Sequence, residues 1–203
     1  MEPQERIMDT AFGLFRQYGT RSITMDDIAE RMGVSKKTLY AHFTDKDDMV
    51  LHTMTRFVNL VHAECQADHA KSRDAIEELF LVMEMLDRRM RNMNPVMLLD
   101  LQKFHQKAYQ VFMEYRNTHL ANMIRENLER GIKEGLYRPD IDIKILTLYR
   151  VYGCMLCFQP EAFPGVSDMP KVQNVLLENF LYGVASAKGY KLIEKYKQLS
   201  QNR

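Results

Sequence analysis

The stretch TMDDIAERMGVSKKTLYAHF, Thr24 to Phe43, decides the fold. Thr24 before an apolar-periodic run is an N-cap, with Asp27 at the reciprocal position of a capping box and Ile23 and Ile28 spaced as a hydrophobic staple. Ala29 and Met32 continue the inward face until Gly33, which takes the positive φ that ends a helix. Ser35 caps a second helix, with Val34 and Leu39 as its staple. Leu39 and Phe43, four apart, form the one face able to pack inward. The other face carries Lys36, Lys37, Thr38, Tyr40, Ala41 and His42. Two helices joined by a glycine turn, the second with a basic and hydroxyl-rich outer face, predict a helix-turn-helix over 24–43 whose second helix enters the major groove of DNA. A helix from Lys36 to Phe43 spans only about 12 Å, so it enters end-on. Lys36 and Lys37 suit guanine or phosphate, Thr38 either, and Ala41 a thymine methyl. Tyr40, His42 and Lys46 suit phosphate oxygens.

Outward from this motif the chain reads as helix throughout. Ile7, Ala11, Leu14, Phe15 and Tyr18 recur at helical spacing over 5–18, and a further helix starts at about Asp45 and runs towards Asp68. Later helices are expected at about 73–92, from Pro95 to about Lys103, and in one long run at 107–134. EGLYRPDID (134–142) is a loop, followed by helices at about 143–158 and 171–199. No strand signal interrupts them. The expectation is an all-α protein: a helix-turn-helix domain at 1–50 and a larger helical domain at 51–203 for effector binding and dimerisation.

Composition bounds the function. The 203 residues are 46% apolar, enough for a real core, with a formal net charge of +1. Residues 1–50 hold seven Lys or Arg against nine Asp or Glu, so placement of cations, not bulk charge, carries the DNA reading. Three cysteines, no apolar leader after Met1 and no long apolar run predict a cytoplasmic protein without membrane partners. Fifteen methionines against nine glycines and six prolines favour helices and an adaptable interior.

Residues 7–50, IMDTAFGLFRQYGTRSI followed by TMDDIAERMGVSKKTLYAHFTDKDDMV, resemble the N-terminal DNA-binding domain of the tetracycline-repressor (TetR) family of bacterial transcriptional regulators. The resemblance implies a homodimer that binds a near-palindromic double-stranded operator and releases it on binding a small molecule. It places Thr24, Tyr40, His42 and Lys46 on phosphates and Lys36, Lys37, Thr38 and Ala41 at the bases. GIKEGLYRPDID, Gly131 to Asp142, looks like the loop before the first of the two dimer helices.

The apolar surplus of the last two helices assigns the dimer interface to Leu146, Tyr149, Val151, Tyr152, Met155, Val175, Leu176, Phe180, Leu181 and Val184. An effector pocket for an apolar or amphipathic guest is expected among Met83, Met90, Met97, Leu101, Phe104, His105, Tyr109, Phe112 and Met113. Two other readings compete. Cys154 and Cys157 form a C-x-x-C, and His62, Cys65 and His69 share a helix face as metal ligands would, with His105 as a fourth. These are expected to be packing and surface residues, with no metal and no cofactor. A third reading is a module that binds protein helices through its methionines. No nucleophile, phosphate loop or carboxylate pair points to catalysis.

Overall fold

The computed structural model describes residues 2–166 and 168–201. Its main elements are the helices α1 (Pro3–Tyr18), α2 (Met25–Met32), α3 (Lys36–Tyr40), α4 (Lys46–Lys71), α5 (Ala75–Met90), α6 (Met97–Phe104), α7 (Gln106–Tyr115), α8 (Ala121–Lys133), α9 (Ile143–Met155), α10 (Met169–Val184) and α11 (Ala187–Gln201). Among the described residues, β-structure is confined to an isolated antiparallel bridge between Tyr137 and Ala185.

The chain condenses into two units, and neither is one continuous stretch. The first comprises residues 1–61, 92–115 and 158–167, the second 62–91, 116–157 and 168–203. The boundary expected at 50/51 therefore does not coincide with the compact units: α6 and α7 cluster with the N-terminal helices.

In the first unit, α1 starts with Pro3 in its first turn and a capping box between Glu2 and Glu5, and buries Ile7, Ala11 and Phe15. Tyr18, expected on the inner stripe, is 52% exposed. Phe12 stacks on Phe57 of α4 with centroids 4.6 Å apart, and Arg56 pairs with Glu5 at 3.0 Å and Asp9 at 3.4 Å.

In the second unit the core gathers Ala75, Ile76, Leu128, Leu136, Tyr137, Leu177, Phe180, Leu181, Val184, Ile193 and Tyr196. The 134–142 loop is its keystone. Tyr137 is 1% exposed; its hydroxyl donates to Asn127 Oδ1 at 3.0 Å, with the Ala75 carbonyl also in reach at 3.2 Å. Burial holds that phenol protonated, its pKa well above the ordinary tyrosine value. Arg130 ties three helix ends together, donating to Glu134 at 2.7 Å, Glu78 at 3.0 Å and the Ser72 hydroxyl at 2.7 Å. Glu134 in turn accepts the Ala75 N–H at 2.8 Å, satisfying an open donor of α5.

Three expectations about helix boundaries are corrected. The recognition helix is five residues, Lys36–Tyr40, and not eight. Its last turn tightens, His42 and Phe43 both donating to the Leu39 carbonyl at 3.0 Å. Thr44 N–H donates to Asp48 and Asp48 N–H to Asp45, which starts α4 at once. The long helix expected at 107–134 is interrupted by a π-helical turn at Arg116–Leu120. The last helix is two, because residues 184–186 pair with the loop: Arg138 N–H donates to the Val184 carbonyl and Ser186 N–H to the Leu136 carbonyl, both at 2.9 Å. These bonds hold Ala185 extended.

Candidate nucleic-acid interface

The site is built from two caps and a glycine. The Thr24 hydroxyl accepts from Asp27 N–H at 3.2 Å, and Asp27 Oδ2 takes the Thr24 N–H at 2.7 Å and hydroxyl at 2.8 Å. Those bonds, the backbone one first, hold the Asp27 carboxyl below its usual pKa. Gly33 has φ 67 and ψ 33, a left-handed conformation that turns the chain out of α2. Val34 N–H then donates to the Ala29 carbonyl at 3.0 Å. Ser35 caps α3 by accepting the Thr38 N–H at 3.2 Å. Leu39 is 0% and Phe43 1% exposed, so the inner face is fixed and the outer one is presented.

Lys36, Lys37, Thr38, Tyr40 and Ala41 are exposed, and His42 is partly so. They are not equally available. Lys36 pairs with Asp26 at 2.6 Å, and the Thr38 hydroxyl lies 3.0 Å from that of Ser35. Thr24, assigned to phosphate, spends its N–H and hydroxyl within the capping box. Lys46 is half-buried at the start of α4; burial lowers its pKa, opposed by Asp47, Asp100 and Asp27. Several acidic groups therefore surround the cations that face outward.

Supports of the interface come from α6 and its flanks, which local sequence patterns did not mark. Asn94 N–H donates to the Arg16 carbonyl at 2.7 Å, closing the end of α1. Arg21 N–H donates to Asp100 at 3.1 Å, and its guanidinium lies 5.3 Å over the Phe104 ring. His105, 7% exposed, sets its Nδ1 2.7 Å from Asp47 Oδ1 on α4. These pairs join residues 58 to 83 positions apart, a separation at which helical periodicity carries no signal.

The other expected sites are distributed as follows. Of the pocket residues, Met83 packs against the second unit's core and Met90 is buried in that unit. Met97, Leu101, His105 and Phe112 are buried in the first unit, Tyr109 and Met113 partly so, and Phe104 is 46% exposed. Of the interface residues, Val151, Phe180, Leu181 and Val184 are buried within the chain itself. Leu146, Met155 and Leu176 are partly buried. Tyr149, Tyr152 and Val175 face outward, and so do Ile145 and Leu148, which were not among the expected residues; all five are at least half exposed.

The metal and redox readings gain no support. Among the described residues no three His, Cys, Asp or Glu side chains converge as metal ligands. His62 lies against His119 with ring centroids 4.3 Å apart, and His69 pairs with Glu78 at 3.0 Å. Burial pushes Cys65 and Cys157 up to about 12 and raises Cys154, so all three stay protonated thiols at neutral pH.

Residues 7–53 match the sequence model of a family described as bacterial regulatory proteins, tetR family. The HTH-type transcriptional repressor KstR2 of Mycobacterium tuberculosis is 26% identical over 143 residues, 69% of this chain and 72% of that one. Two solved structures share the fold. One is a putative transcriptional regulator from Saccharomonospora viridis in complex with choline, with a TM-score of 0.74 at 20% identity, covering 90% of this chain and 97% of that one. The other is the regulator FadR from Bacillus subtilis in complex with stearoyl-CoA, with a TM-score of 0.66 at 20% identity over 89% and 98%.

Proposed function

We propose that this chain, whose residues 7–53 match the model of the tetR family of bacterial regulatory proteins, is a homodimeric repressor. It holds a near-palindromic operator through α3 and releases it when a small apolar or amphipathic molecule binds. The observation that carries this reading is the outer face of α3, where Lys37 and Tyr40 stand exposed on a helix locked by the Ser35 cap and the buried Leu39 and Phe43. The likeness to a named repressor and to regulators solved with stearoyl-CoA and with choline supports effector control.

Dimerisation supplies the second recognition helix. Ile145, Leu148, Tyr149 and Tyr152 repeat at i, i+3, i+4 and i+7 on α9 and are 50–63% exposed, with Val175 on α10 at 50%. An apolar stripe of this kind on a soluble protein marks an interaction surface. A twofold dimer on a near-palindromic operator requires its two copies of α3 to meet successive major grooves, roughly 34–36 Å apart. The double change Tyr149→Glu, Tyr152→Glu is expected to give a folded monomer by light scattering that loses operator affinity. A variant that remains a dimer would remove α9 from the interface.

The experiment for the DNA assignment is selection of genomic fragments retained by the protein, then mobility shifts with variants. Lys46→Ala and Tyr40→Phe should weaken binding to every sequence and flatten its salt dependence. Lys37→Ala should relax preference at particular base pairs, by about 1–3 kcal/mol each. If all three bind like the parent, α3 is not the reading element. Effector and operator affinities are reciprocally coupled, so DNA must weaken effector binding by the same factor by which effector weakens DNA binding.

A further inference from the structure

On neighbouring stretches of α9 and α10, three buried side chains each carry a polar atom with no partner. Arg150 is 5% exposed, Thr147 8% and Gln173 2%. Arg150 Nη1, Thr147 Oγ1 and Gln173 Oε1 each lack a hydrogen bond. Among the described residues no carboxylate pairs with Arg150. Thr147 and Arg150 are one turn apart and face inward, away from the exposed Leu148 and Tyr152. Gln173 Nε2 donates to the Cys154 carbonyl at 2.6 Å and reaches Cys157 Sγ at 2.8 Å. Its carboxamide is therefore pinned at the C-terminal end of α9 with the oxygen left open. Arg150 lies one turn before Cys154 on the same face of α9, towards the same end.

An arginine keeps its proton, so burial cannot neutralise it as it would a lysine. An unpaired buried charge costs several kcal/mol, and an unsatisfied hydroxyl or amide oxygen adds to that. A group from outside that completes the site removes that cost. The planar guanidinium fork matches a carboxylate bidentately, and Thr147 provides a further donor. Arg150 brings a single positive charge, which suits a monoanion and leaves a dianionic phosphate half neutralised. Gln173 Oε1 calls for a ligand hydroxyl or N–H close to the acid. The nearby Val151 and Cys157 are apolar and buried, 3% and 6% exposed.

We propose that Arg150, Thr147 and Gln173 form a buried carboxylate-recognition site in the second unit, and that the effector is an amphipathic carboxylate held there by its acid group. The proposal rests on the reading of the chain as an effector-controlled repressor and names the chemistry of that effector.

The test is thermal unfolding of the intact protein with carboxylates from acetate to dodecanoate and with amides of matching chain length, at constant ionic strength. Carboxylates should raise Tm, increasingly with chain length, and the amides should not. Arg150→Met should raise the Tm of the ligand-free protein, because it removes an unpaired buried charge, and should abolish the carboxylate response. By calorimetry it should weaken the tightest carboxylate by about 100-fold, as loss of a charged hydrogen-bonding partner does, which takes it out of the range that shifts Tm. Thr147→Val should have a smaller effect, and Arg150→Lys, which keeps the charge without the fork, an intermediate one.

The site is overturned if carboxylates and amides shift Tm equally, if no carboxylate shifts it, or if the response persists in Arg150→Met. It is also overturned if Arg150→Met lowers the Tm of the ligand-free protein, which marks a structural arginine. Failure here in a protein that still binds its operator removes the carboxylate site alone. A protein that binds no operator fails the repressor reading instead.

Discussion

Alanine at Gly131 is expected to destabilise the second unit by about 3 kcal/mol, at the upper end of what overpacking costs in a filled core. A methyl there would stand 2.0 Å from Tyr137 Cδ2 and 2.2 Å from Cε2. The ring has nowhere to go: its hydroxyl is held by Asn127 and its own N–H by the Gly131 carbonyl at 3.0 Å. Moving the loop would break the pairing of 136–138 with 184–186 that separates α10 from α11. For a chain of this size the change corresponds to a loss of roughly 6–12 °C in Tm. Gly13, in the middle of α1 with open space at its Cβ position, is the control: alanine there should stabilise by about 0.5–1 kcal/mol through helix propensity. Thermal denaturation of both variants checks the pair, and equal Tm values would contradict the packing of Tyr137.

Leu39→Ala is expected to abolish DNA binding without touching a DNA-facing side chain. Leu39 is 0% exposed, and truncating a buried leucine costs about 2–5 kcal/mol. A helix of five residues has almost no intrinsic stability and persists only through its packing. Phe43, at 1% exposure, cannot hold it alone. The expected result is a loss of affinity of 100-fold or more for every sequence, with most helicity by circular dichroism retained. Parental affinity in this variant would mean that α3 does not position the DNA contacts.

What the sequence reveals about this protein is what is decided locally. The Thr24–Asp27 box, the Gly33 turn and the Ser35 cap each involve residues within five positions of one another, and all three form as the pattern predicts. The end of α3 depends on competition from the next cap at Asp45 and Asp48, so its helical pattern overran by three residues. No glycine or proline marks the break at Ala185–Ser186, because it is made by strand-like pairing with a loop almost fifty positions earlier. α10 is apolar on more than one side. Packing against α5 and α9 decides that Phe180, Leu181 and Val184 face the chain's own core and leaves Val175 outward. The unpaired state of Arg150 is likewise invisible in sequence, since it consists of the absence of a carboxylate from a place that only folding defines.

The most direct test of the central claim is an anisotropy titration of the intact protein against a selected genomic fragment and a scrambled duplex of the same length, at several salt concentrations. The account predicts that log Kd for both duplexes rises linearly with log salt, the mark of phosphate contacts and counterion release. It also predicts that the selected fragment binds tighter by about 10³-fold or more, the low end for specific recognition. Equal affinity for the two duplexes at every salt concentration would contradict it.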